Sequence, residues 1–168
     1  MDRGVLSTGD ILLFPYQYRK FGFLLVLTSL ITAYLYFWGG RPSFFEVPIF
    51  AIITSYAETR WFVLAQTNLL DELTHLFLIS GLLMIAFSKE YHESEEINSY
   101  RIRALFYAVY STSALWIVIY LTVFGWPILI VSTTVFIQLL LLFILFFRYL
   151  LYKNQFGAKT KTEIMRLS

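Results

Sequence analysis

The chain has 168 residues, of which 58% are hydrophobic, 20% aromatic and 14% charged, and its formal net charge is +2. Soluble domains carry about 25% charged residues, so this chain has too little polar surface to cover a soluble globule, and a lipid bilayer must be part of its solvent. The small net charge gives no basic surface for nucleic acid. Because the chain has no cysteine, disulfides, thiolate catalysis, zinc–cysteine sites and iron–sulfur clusters are excluded.

The first predicted transmembrane helix covers residues 21–40 and follows a cytoplasmic lead at 1–20. Its sequence, FGFLLVLTSLITAYLYFWGG, contains no charge. At about 1.5 Å per residue it reaches the roughly 30 Å of a bilayer core. Tyr34, Tyr36 and Trp38 near its end are typical of the aromatic belt at a membrane interface.

The segment after this span has two interpretations. Pro42 and Pro48 interrupt its start, and the rest is apolar apart from Glu58 and Arg60. A transmembrane helix would bury both charges on different helix faces, at a cost of about 2.5–3.5 kcal/mol each. We therefore predict an interfacial or re-entrant helix over 45–66, lying along the outer membrane surface.

Three further spans are predicted, at about 69–88, 104–124 and 128–152, with a tight turn at 125–127 and a basic cytoplasmic tail at 153–168. The predicted fold class is all-α: an integral membrane four-helix bundle with an additional outer interfacial or re-entrant helix. Residues 21–152 form the bundle in this prediction.

Basic residues set the predicted orientation, because lysine and arginine concentrate on the cytoplasmic side of membrane proteins. With four spans and both termini inside, only Arg41 and Arg60 of the 13 basic residues lie outside. Those inside are Arg3, Arg19, Lys20, Lys89, Arg101, Arg103, Arg148, Lys153, Lys159, Lys161 and Arg166. The sequence thus predicts a multi-pass membrane protein with both termini in the cytoplasm, N-in and C-in.

Several short pieces occur in a recognisable order: FPYQYRKFG before the first span, then LLDEL, AFSKE, RIRALFYAVY and FFRYLLYKN. In this order they resemble a group of short four-span inner-membrane proteins common in Bacteroidota, to which no activity is assigned. The match is partial, since the loop YHESEEINSY stands where the group has a more compact run. The resemblance implies a location in a bacterial inner membrane and the four-span topology, and it implies no chemistry.

Asp71, Glu72 and His75 form a DExxH motif within one helical turn. Glu72 and His75 have the i, i+3 spacing of half a di-iron carboxylate site. The other half needs a second Glu-x-x-His, and the only other histidine, His92, has no such motif and lies at the opposite end of the span. We therefore predict no metal and no cofactor.

The favoured interpretation of this turn is structural. Asn68 can cap the helix, and carboxylates in a first turn complement the helix dipole. The alternative is a proton or cation site, in which Arg60 folds back to neutralise one of the two carboxylates, Asp71 or Glu72, and His75 shares a proton with the other.

A second candidate is the loop between the second and third spans, whose favoured interpretation is a solvated, charged turn with Arg101 and Arg103 held at the lipid phosphates. Its carboxylates could hold a cation, but they lack the Asp/Gly pattern of a calcium loop. The alternative is a functional loop, and for that case we predict a partner-docking loop for a cytoplasmic protein rather than a metal site. The charged and histidine residues of the loop are Lys89, Glu90, His92, Glu93, Glu95, Glu96, Arg101 and Arg103.

The polar residues within the spans are uncharged. No charged residue lies at mid-depth, where ion-coupled transporters usually place one. Serine, threonine and glycine here favour helix packing. Gln138 is the one amide near the centre of the last span.

Three functions are compatible with these features. The first is a non-enzymatic scaffold, sensor or accessory subunit that docks a cytoplasmic or membrane protein partner. The second is a channel or small transporter formed by a homo-oligomer. The third is an intramembrane enzyme that acts on lipid through Asp71, Glu72 and His75. Membrane lipids are partners in all three, and the first is favoured because no catalytic set was found.

Overall fold

A computed structural model describes residues 12–55, 59–91 and 93–167. The described chain is mostly helical and contains one two-stranded sheet. Its elements are α1 (Tyr18–Phe37), a short 3₁₀ helix (Ser43–Phe45), β1 (Glu46–Ser55), β2 (Thr59–Asn68), α2 (Leu70–Ala86), α3 (Glu95–Thr122), α4 (Trp126–Ser132) and α5 (Val135–Leu167). These residues form two compact units. Residues 21–81 form one unit, and residues 12–20 together with 82–167 form the other.

Three of the described helices are long and apolar enough to cross a membrane: Tyr18–Phe37, Glu95–Thr122 and the Val135–Asn154 part of α5. This confirms the predicted membrane protein with transmembrane helices. The fourth predicted span, 69–88, corresponds to α2, which has 17 residues and is not among the three. By length and composition alone, α2 is therefore at the lower limit for a span.

Small residues bring α1 and α2 together within the 21–81 unit. The Thr74 hydroxyl donates to the Thr32 hydroxyl at 2.9 Å, and Ser29 and Thr32 are buried. A Cβ added at Gly81 would lie 2.8 Å from the carbonyl oxygen of Gly22. These contacts agree with the predicted role of small and hydroxyl residues in helix packing.

The predicted outer helix over 45–66 is wrong, because this segment forms an antiparallel hairpin. β1 pairs with β2 from Glu46 opposite Asn68 to Ser55 opposite Thr59. The physical reason is the high content of β-branched and aromatic residues, which pack well on a pleated surface and are restricted in a helix. Glu58 lies outside the described residues.

The core of the other unit lies between α3 and α5, which run antiparallel. Buried residues recur at helical spacing on each helix. On α3 they are Ala104, Ala108, Thr112 and Trp116, and on α5 they are Leu140, Phe143 and Phe147. The Trp116 indole N–H donates to Gln138 Oε1 at 3.2 Å, so this amide serves helix packing.

The helix bounds differ from the predicted spans at both ends of this unit. α3 begins at Glu95 rather than 104, because the Ser94 hydroxyl caps the helix by accepting from the Ile97 N–H at 3.3 Å. The predicted 128–152 helix is interrupted at Thr133 and Thr134, whose hydroxyls donate to carbonyl oxygens one turn earlier. The predicted tail continues α5 as helix to Leu167.

Candidate functional site

Five charged side chains lie close together around the loop between α2 and α3. They come from this loop, from the starts of α1 and α3, and from α5. We call them the charged junction: Arg19, Glu90, Glu93, Arg101 and Arg148. The loop that carries the two glutamates is held by backbone hydrogen bonds to Phe14, which donates to Phe87 O and accepts from the Lys89 N–H, both at 2.9 Å. The loop is therefore anchored at its first residues.

Glu90 lies between two arginines from different helices. Its Oε2 is 3.0 Å from Arg19 Nη1, and its Oε1 is 3.0 Å from Arg148 Nη2. The Glu90 side chain is 16% exposed, Arg19 23% and Arg148 36%. One carboxylate thus joins α1 and α5, and it is shared by two guanidinium groups.

Arg101 and Glu93 form the second ion pair of the junction. Arg101 Nη1 lies 2.8 Å from Glu93 Oε1, and its Nη2 donates to Oε2 at 3.3 Å. The guanidinium also lies 5.1 Å from the centre of the Phe147 ring, a favourable cation–π geometry. Arg101 is only 3% exposed, so the predicted position of this arginine at lipid phosphates is wrong.

The Glu93 carboxyl is held in its ionised form. Partial burial by itself raises the pKa of this carboxyl, but the hydrogen bonds from Arg101 and from the Glu90 N–H, with the Arg101 charge, outweigh burial. The net effect lowers the pKa of Glu93. The Glu90 N–H donates to Glu93 Oε2 at 2.9 Å, so backbone and arginine stabilise the same charge.

A cleft of about 470 Å³ opens beside the junction on α5. It is lined by Glu90, Arg148, Tyr149, Leu151 and Tyr152. The sequence identified Glu90 as a candidate site residue, but it identified Arg19 and Arg148 only as cytoplasmic basic residues and did not single out the two tyrosines. An arginine inside the otherwise apolar FFRYLLY run was the signal that could have identified Arg148.

The other described charged residues of the predicted docking loop lie at the surface. Lys89, Glu95, Glu96 and Arg103 are exposed, as a docking surface requires. Glu96 accepts hydrogen bonds from the Tyr100 hydroxyl at 2.7 Å and from the Asn154 amide at 3.3 Å. His92 lies outside the described residues.

The other candidate site, in the first turn of α2, is assembled only in part. The Asn68 side-chain oxygen accepts from the Leu70 N–H at 3.2 Å, which confirms the predicted cap. His75 Nδ1 lies 2.8 Å from the backbone oxygen of Asp71. His75 thus contacts the backbone of its own helix, and Asp71 and Glu72 occupy the first turn as expected.

Arg60, which the sequence prediction grouped with Asp71, Glu72 and His75, lies in the hairpin rather than beside this turn. Arg60 lies at the start of β2, opposite Thr54. At about 3.3 Å per residue, an extended strand places it roughly 26 Å from Asn68.

A small cleft of about 290 Å³ does lie beside Asp71, lined by Tyr36, Arg41, Gln66, Thr67 and Asn68. The Arg41 guanidinium packs over the Tyr36 ring at 4.3 Å. Over residues 12–55, 59–91 and 93–167, no group of three histidine, aspartate or glutamate side chains could hold a metal ion.

Comparisons with known protein families, with curated proteins and with solved structures find no match to the chain. The resemblance to short four-span proteins therefore stays a prediction.

Proposed function

We propose that the protein is a four-span protein of a bacterial inner membrane, with both termini in the cytoplasm, and that it docks a protein partner on the loop between α2 and α3. In this role it is a non-enzymatic scaffold, sensor or accessory subunit. The partner is a cytoplasmic protein or the cytoplasmic part of a membrane protein.

The fourth span in this proposal is α2. Its 17 residues extend about 25 Å, which is within the range of transmembrane helices. No charged residue occurs from Leu76 to Ser88. The distribution of basic residues then favours a cytoplasmic loop between α2 and α3.

The observation that carries the docking proposal is the anchoring of this loop. Backbone bonds to Phe14 and the ion pairs of Glu90 and Glu93 fix its course. Lys89, Glu95 and Arg103 stay exposed beside these anchors. A surface ordered before binding loses less conformational entropy when a partner docks, so an anchored, charged loop suits recognition.

Site-specific crosslinking in native membranes tests the proposal. A photoreactive residue in place of Tyr91, which is 75% exposed, should capture one partner of defined mass. The matched control replaces Phe44, which is 85% exposed on the other side of the predicted topology. Glu95→Lys should abolish the Tyr91 crosslink, and Glu46→Lys should leave it intact. A crosslink that survives Glu95→Lys, or no crosslink at 91, contradicts docking on this loop.

A further inference from the structure

The cleft beside Arg148 has an unbalanced charge. Glu90 is the one carboxylate paired with both Arg19 and Arg148, so this group carries a formal surplus of one positive charge. The neighbouring pair of Glu93 and Arg101 is balanced and adds nothing to the surplus. A half-buried excess cation is costly unless an anion accompanies it.

The surroundings of the cleft add further positive charge. Lys20 follows Arg19, Lys89 precedes Glu90 and Lys153 follows Tyr152, and all three lysines are exposed. Glu96 is the carboxylate of α3 that reaches this end of α5, where it accepts from Asn154. Among the described side chains these lysines outnumber it, and an excess of positive charge favours an anion at the mouth of the cleft.

The cleft lies near the end of the apolar run of α5, where the edge of a membrane is expected. Arg148 lies about 6 Å of helix before Tyr152, after which the apolar run gives way to Lys153 and Asn154. Tyr149 and Tyr152 line the cleft and are 57% and 62% exposed. Aromatic residues with a polar tip are typical of the headgroup level of a bilayer.

We propose that this cleft binds the phosphate group of an anionic membrane lipid, with Arg148 as its principal contact and Arg19 as the second positive charge. Guanidinium groups form strong charge-assisted hydrogen bonds with phosphate. Basic pockets between membrane helices are suited to anionic headgroups. The accessible volume of about 470 Å³ leaves room for the phosphate beside the apolar side chain of Leu151, which can contact the start of an acyl chain.

The full chain in a mild detergent provides the test, because lipids can be added back one at a time. Thermal unfolding and native mass spectrometry are measured with phosphatidylglycerol, with phosphatidylcholine and with inorganic phosphate. Phosphatidylglycerol should raise the unfolding midpoint saturably. It should bind at one copy per chain and more tightly than phosphatidylcholine or inorganic phosphate. Arg148→Gln should weaken its binding by roughly tenfold, the loss expected for one charge-assisted hydrogen bond. The control, Arg41→Gln, removes an exposed arginine of the 21–81 unit that is not among the residues lining this cleft, and it should bind like the wild type.

Leu151→Trp provides a second variant that keeps both arginines and fills the cleft with a larger side chain. It should also lose the selective binding of phosphatidylglycerol, which separates occupancy of the cleft from the folding role of the ion pairs. Wild-type affinity in both Arg148→Gln and Leu151→Trp would overturn the proposal. Equal stabilisation by phosphatidylcholine would overturn the selectivity for an anionic lipid, and equal stabilisation by inorganic phosphate would assign the cleft to a free anion instead.

Discussion

Arg101 and Glu93 form an ion pair whose cationic side chain is almost completely buried: the Arg101 side chain is 4% exposed, that of Glu93 is 13% exposed, and their closest atoms are 2.8 Å apart. Within the described residues, Nε of Arg101 has no hydrogen-bond partner. The guanidinium therefore depends on Glu93, on the Asn98 oxygen at 3.5 Å and on the Phe147 ring. This pair ties the α2–α3 loop to α3.

Removing Glu93 from this pair should be strongly destabilising. Glu93→Met leaves the buried guanidinium without its counter-charge, which typically costs about 3–5 kcal/mol of unfolding free energy. The double variant Glu93→Met with Arg101→Met should recover part of the loss, because two apolar groups can replace a buried pair. Unfolding in detergent measures both, with Arg103→Met as an exposed control expected to change stability by less than about 0.5 kcal/mol. A double variant no more stable than Glu93→Met would contradict this account.

The same pair predicts a pH dependence. The pKa of Glu93 is lower in the folded chain than its ordinary value of about 4.3, so the folded state binds fewer protons there. The resulting stability is fully present above about pH 4.3 and is lost as the pH falls through the folded pKa. Glu93→Gln should therefore be less stable than the wild type at pH 7, and the difference should shrink below about pH 4.3. A difference that stays constant between pH 7 and pH 3 would show that the Glu93 charge has no such role.

The long helices were predictable because their apolar runs are continuous and long. The first span, predicted at 21–40, corresponds to α1 at Tyr18–Phe37. Helix ends were less predictable, since they depend on local polar groups such as Ser94, which starts α3 before the apolar run begins. The break at Thr133 depends on side-chain hydroxyls that compete with the helix backbone.

The hairpin was missed because a short apolar run has no clear period. Its residues are apolar on both faces, so neither helical nor strand spacing stands out. The signal was present in composition: Val47, Ile49, Ile52 and Ile53 are β-branched, and such residues favour strands. Pro48 interrupts the start of the segment and so does not separate the two alternatives, because a first helical turn and an edge strand both tolerate proline.

The sequence predicted charged residues of the candidate site but not the ion pairs that they form. Lys89, Glu90 and Glu93 were recognised as a charged loop, but the ion pairs were not, because Arg19 and Glu90 are 71 residues apart in sequence. Such pairs depend on how the helices pack, and no local spacing encodes them. Glu93 and Arg101 are only 8 residues apart in sequence, but their ion pair also depends on the turn of the chain at Ser94.

Gly81 should be a sensitive position in the contact between α1 and α2. A Cβ at this position would lie 2.8 Å from Gly22 O and 2.9 Å from a methyl group of Val26, and the Gly22 backbone cannot move aside cheaply. Gly81→Ala should therefore lower the unfolding free energy by about 1–3 kcal/mol. Ser80→Ala, at the neighbouring position, adds no atom and is the matched control. Equal unfolding midpoints for the two variants would show that the helices separate without cost at this point.

The last prediction concerns whether α2 crosses the membrane. If it does, the hairpin and the α2–α3 loop lie on opposite sides, and the chain has four spans with both termini in the cytoplasm. A reporter fused after Ser168 should then be cytoplasmic and one inserted near Ser43 should be outside. The chain has no cysteine, so a single cysteine introduced before or after α2 reports which side of the membrane that position faces. Cysteine at Arg60 should react with an impermeant maleimide added from outside, whereas cysteine at Lys89 should react only after the membrane is opened. Reaction of both from the same side would show that α2 does not span the bilayer and would leave three spans, with the termini on opposite sides.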